Sequence, residues 1–88
     1  MDNQLIMFLM YNSPENICRR KSPAEIAETC YRCQRFLEES ARLITEVAYA
    51  RAMTTAFASA VWEERQLCLT FITVAEKYMN IPAKIYNE

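Results

Sequence analysis

The chain has 88 residues, a formal net charge of −1, 52% apolar and 24% charged side chains, four cysteines, three prolines, and neither glycine nor histidine. That length holds one domain with one small core, and the balanced charge argues against a general nucleic-acid binder, which needs clustered surplus Lys and Arg. Without histidine the usual general base and commonest metal ligand are missing; without glycine there are no phosphate-cradling loops, nucleophile elbows or dinucleotide fingerprints.

Met1-Asp2-Asn3-Gln4 leads into an apolar run from Leu5 to Tyr11. The start is acidic and the run short, unlike a secretory signal, and no window approaches the ~20 apolar residues of a membrane span. The expectation is a cytoplasmic protein, off the membrane, with reduced thiols. Periodicity cannot separate strand from helix over so short a run, and the helical character of the rest favours a short helix. Ser13-Pro14-Glu15-Asn16 and Ser22-Pro23-Ala24-Glu25 then give two helix starts. In each, the serine oxygen accepts from free N–H groups of the first turn and proline occupies a position whose N–H would have no partner. Glu25 completes a capping box with Ser22. The spacing predicts a short helix near 14–20 and a long one from Pro23.

From Ala24 to Met79 there is no Gly, Pro, Asn or Asp, the residues that usually end helices or make tight turns. Asn80-Ile81-Pro82 is the first stop signal. Leu67–Val74 (LCLTFITV) is rich in β-formers, but its flanks continue a helical pattern and it is read as helix. Taken alone, this stretch predicts one helix over about 23–79, ~85 Å long.

At 100° per residue, Ile26, Cys30, Cys33, Leu37, Ala41, Ile44, Val47 and Ala48 share one face. Glu28, Arg32, Arg35, Glu38, Glu39, Arg42 and Glu46 lie opposite, with Glu28–Arg32, Glu38–Arg42 and Arg42–Glu46 spaced for ion pairs. Past Arg51 the pattern inverts, with Phe57, Val61, Leu67, Cys68, Phe71, Ala75 and Tyr78 on the formerly polar side. Two arrangements satisfy this. One long helix, continuous or kinked, packs its two ends on different partners. The other is an antiparallel hairpin that turns near 51–55, with Thr54 or Thr55 capping the second helix. The alanines at 48, 50, 52, 56, 58 and 60 have high helix propensity and favour continuation. A rod leaves one apolar face bare unless another chain covers it, so a helical bundle in a homo-oligomer is expected. The expected organisation is one all-α domain over 1–88: short helices in 1–21, the long segment in 22–80, and a tail at 81–88 where Ile85 and Tyr86 pack back or fray.

Cys30-x-x-Cys33 is the one spacing suggestive of metal or redox chemistry. A zinc or copper thiolate site could draw on Cys18, Cys30, Cys33 and Cys68. Against it, such pairs usually sit in glycine-bearing knuckles, and free cysteine is commonly a small buried apolar residue. No cofactor is expected. Arg19-Arg20-Lys21, with Arg32, Arg35 and Arg42 on the polar face, could clamp a small anion such as a nucleotide or an acidic partner; the alternative is a solvated face laced with ion pairs to Glu28, Glu38 and Glu39. Trp62, Tyr49 and Tyr31 lie near polar faces, where aromatics serve as interface anchors. Glu63-Glu64 and Glu46 are read as solvent-facing, because a di-iron site would also need histidine. The sequence therefore points away from catalysis. It points to a small accessory protein, of the kind encoded by phages, that binds and modulates or inhibits a partner macromolecule. The contacts expected are Arg19, Arg20, Lys21, Arg32, Arg35, Arg42, Trp62 and the apolar amino-terminal run.

Overall fold

A computed structural model describes residues 2–50 and 54–79. Four helices account for nearly all of them: α1 (Asn3–Tyr11), α2 (Pro14–Arg20), α3 (Pro23–Tyr49) and α4 (Thr55–Met79). Each start has a side-chain cap, as free first-turn N–H groups require. Asp2 Oδ1 accepts from Leu5 N at 3.1 Å, Ser13 Oγ from Asn16 N at 3.2 Å, Ser22 Oγ from Glu25 N at 3.2 Å and Thr54 Oγ1 from Phe57 N at 3.0 Å. Ser22 Oγ also donates to Glu25 Oε1 at 3.1 Å, and Pro14 and Pro23 open their helices. The β-rich Leu67–Val74 stretch lies inside α4.

The long segment is an antiparallel hairpin and not a single helix over 23–79. α3 ends at Tyr49, and α4, capped by Thr54, runs back along it. The Cys33 and Cys68 thiols are neighbours, and Arg65 reaches the Leu37 carbonyl at 2.7 Å. Cys30 and Tyr31 share a cavity with Ile72, Glu76 and Met79. This register centres the reversal between Tyr49 and Thr55. The inverted apolar pattern is its cause. Folding back turns Cys68, Phe71 and Ala75 towards the same core as Ile26, Cys33 and Phe36 and buries Val61, which outweighs the helix propensity of the alanines. The chain thereby covers the face that a rod would have left to another copy. Arg51 and the tail at 81–88, together with the stop at Asn80, lie outside the described residues.

α1 and α2 pack across this hairpin, chiefly on α4. The core joins all four helices: Leu5, Ile6, Leu9, Ile17 and Cys18 meet Ile26, Cys33, Phe36, Cys68, Phe71 and Ala75. It ends near Leu37 and Leu67, so the far end of the hairpin has no second layer over it. Ile44 and Val47 are accordingly only half-buried, and Ala41 and Ala48 are exposed, although the wheel placed all four inward. The molecule measures 42 × 33 × 15 Å. Its thin dimension is close to that of two packed helices, whose axes lie ~8–10 Å apart.

Phe36 and Phe71 are 2% and 0% exposed, and each fills space between helices that has little means of collapsing. Phe71→Ala is expected to lower stability by about 3–5 kcal/mol. Thr54→Ala, which removes only the cap, is expected to lower it by about 1 kcal/mol. Urea midpoints at unchanged slope would check both.

Candidate functional site

The cationic residues are dispersed rather than gathered. Arg32 donates from Nε to Asp2 Oδ2 at 2.8 Å and from Nη2 to Asp2 Oδ1 at 2.9 Å, a two-point clasp that ties the start of α1 to the middle of α3. It makes this bond in place of the expected one to Glu28. Arg35 pairs with Glu39 at 3.1 Å, contacts the Tyr31 hydroxyl at 3.4 Å and lies 6.0 Å from that ring's centre. Arg42 lines a shallow polar recess with Arg35, Glu38 and Glu39. Among the described residues, the predicted Glu38–Arg42 and Arg42–Glu46 pairs do not form. Arg19 donates to Asn16 Oδ1 at 2.6 Å, and Lys21 pairs with Glu25 at 3.8 Å. Arg20 borders a small depression with Phe8, Asn12 and Lys21. Lys21 and Arg32 share a recess, but Glu25 and Glu28 line it too. No single surface collects the six cations, and most have carboxylates beside them.

The cysteines form part of the core. Cys18, Cys33 and Cys68 are buried and Cys30 is half-buried, all as free thiols. Among the described residues, no three His, Cys, Asp or Glu side chains are grouped to hold a metal ion. Burial, with Cys18 and Glu76 nearby, pushes the Cys30 thiol up to about 11. The neighbouring Cys68 thiol, then burial and Cys30, push Cys33 up as well. Burial and then Glu15 raise Cys18. These environments favour the protonated thiol over the thiolate that metal ligation and nucleophilic attack require.

One polar side chain lies in the core with its hydrogen bonds satisfied. Ser40 is 0% exposed, yet its hydroxyl donates to the Leu37 carbonyl at 3.2 Å and accepts from Arg65 Nη1. No buried side-chain polar atom lacks a partner among the described residues.

A broad concave feature lies between α1 and α4. It is a groove of about 560 Å³ lined by Ile6, Leu9, Met10, Pro14, Ala60, Trp62, Glu63, Glu64, Gln66, Leu67 and Thr70. Its floor is formed by core residues seen edge-on: Ile6 and Leu9 are 6% and 5% exposed. Its rim is open, with Met10 62% and Trp62 61% exposed. α1 contains no charged residue. It buries Leu5, Ile6 and Leu9 but leaves Met7, Met10 and Tyr11 facing out, an i, i+3, i+4 stripe. A helix apolar all round normally has neighbours all round; here one side is open. Trp62 is exposed at the groove; beside it Glu63 is exposed, as expected of a solvent-facing carboxylate, and Glu64 is half-buried. Sequence inspection missed the groove because it joins residues some fifty positions apart, and only the lack of charge in α1 hinted at it.

The sequence matches no protein-family model, and neither a curated protein nor a solved structure matches it. No helix among the described residues is long and apolar enough to cross a membrane.

Two outcomes test this description. Burial opposes ionisation of Asp2, but the Leu5 amide and the hydrogen bonds and charge of Arg32 outweigh it and hold the carboxyl below its ordinary 3.8. A lowered carboxyl stabilises the fold above its unfolded pKa, and that contribution is lost as pH falls through the lowered folded value. Asp2→Asn is therefore expected to be less stable than the parent at neutral pH, and the gap in urea midpoint should close below pH ~3.8. Separately, titration with an aromatic disulfide at mildly alkaline pH should modify the four thiols far more slowly in the native chain than in denaturant. Fast native reaction would contradict the buried core assignment.

Proposed function

We propose that the chain is a non-enzymatic helical docking protein of the cytoplasm, which holds a segment of another macromolecule and thereby modulates or blocks it. The observation that carries this reading is the apolar groove between α1 and α4, with Trp62 and Met10 exposed at its rim. Exposed methionines and a tryptophan beside buried aliphatics form the kind of surface that binding partners use: the ring supplies area at low entropic cost, and the thioether adapts its shape. The absence of histidine and the protonated state favoured for Cys18, Cys30 and Cys33 support a binding role over a catalytic one. An anion-binding role through the arginines draws less support, because carboxylates stand beside Arg32, Arg35 and Arg42.

Selection from a random peptide display library against the folded chain is expected to return binders that weaken by more than about tenfold on Met10→Lys. The same binders should ignore Glu38→Lys, on the exposed polar face of α3. Both positions are exposed, so either variant should fold. Failure to obtain binders, or binders that ignore Met10→Lys, would overturn the reading.

A further inference from the structure

Resting on that docking role, the geometry points to a cationic amphipathic helix as the occupant of the α1–α4 groove: a segment of a partner protein with aliphatic residues on one face and Lys or Arg flanking them. Both walls are helices, and no strand edge is present among the described residues to template an extended peptide. The α4 wall runs from Ala60 to Thr70, ~15 Å at 1.5 Å per residue, and the anchors i, i+4 and i+7 of a docked helix span ~10 Å. Such a helix would complete a three-helix contact with α1 and α4, its aliphatic anchors over Ile6, Leu9 and Leu67 and its backbone beside Met10 and Trp62.

Charge selects the flanks. The groove's charged lining consists of Glu63 and Glu64, with no Lys or Arg among its residues. Arg65, next to them in sequence, is turned away to the Leu37 carbonyl and Ser40 on α3. Neither glutamate makes an ion pair among the described residues. Carboxylates at the rim attract cations on an incoming helix and repel an acidic one, which acts chiefly on association rate and choice of partner.

In a second copy of this chain, α1, α2 and α3 offer no matching helix. α1 has no charge. The cations of α2 are exposed, but its apolar Ile17 and Cys18 are buried. The outer face of α3 carries Arg35 and Arg42 among Glu38 and Glu39. An isologous contact across the groove would bring the two glutamates near their own copies.

Trp62 is the single tryptophan, so its emission reports on the groove directly. The test compares two short synthetic peptides with leucine on one helical face and either lysine or glutamate on the other. The lysine peptide is expected to shift Trp62 emission and to bind at least about tenfold more tightly than the glutamate peptide, with the preference shrinking as salt is raised. The double variant Glu63→Gln, Glu64→Gln should erase the preference while keeping apolar binding, and Met10→Lys should weaken both peptides. Equal or tighter binding of the glutamate peptide would overturn the proposal, as would a lysine preference unchanged in the double variant. It would also fall if neither peptide binds while sedimentation shows a dimer that Met10→Lys dissociates, or if only lipid vesicles shift Trp62. Library-selected binders that depend on Met10 but lack cations would leave the docking role standing and remove only this choice of partner.

Discussion

The whole architecture depends on α3 and α4 lying against each other across Cys33, Phe36, Cys68 and Phe71. Each is 2% exposed or less, in a chain of only 88 residues. A domain this small stays folded by a narrow margin, so the pairing must be tight along its length. Cysteine beside phenylalanine achieves this by alternating small and large side chains, which lets the helices approach while the rings fill the remaining space. Arg65 adds a polar restraint, because its guanidinium reaches α3 only in the register that places Leu37 and Ser40 opposite. Sliding by one turn would leave Ser40 buried with one partner fewer and the guanidinium desolvated beside it, a costly alternative.

Local chemistry made the helix starts legible in the sequence. A serine followed by proline, with glutamate three residues on at α3, has few other uses, and the starts of α2 and α3 fall where those residues put them. The reversal was legible only as a conflict. An apolar stripe that changed sides implied either a second partner or a fold-back, while alanine-rich composition argued for continuing. Burial of the carboxyl-terminal stripe decided in favour of folding back, a tertiary gain that helix propensity, worth under ~1 kcal/mol per residue, does not match. The second helix then starts from a threonine cap, Thr54.

The site was much less legible, for a physical reason. Periodicity reports which residues of one helix share a face; it does not say which helix will lie opposite. Arg32 belongs to the polar face by spacing, yet its partner is Asp2, thirty positions away. The cations that look like a cluster in sequence are divided because Arg19, Arg20 and Lys21 close α2 whereas Arg35 and Arg42 project from the outer face of α3. The exposure of Trp62 was legible from its polar neighbours. The groove beneath it was not, since it comes into being only where α1 crosses α4.

That crossing also orders events in time. α1 is made first and α4 last, so the wall bearing Leu67 is absent while most of the chain is being synthesised. Until then Met7, Met10 and Tyr11 belong to a short helix with little of its own to lean on, and short helices are marginal in isolation. A partner arriving early would meet half a cleft and no tryptophan. The cleft is thus absent until both of its walls have been made and packed.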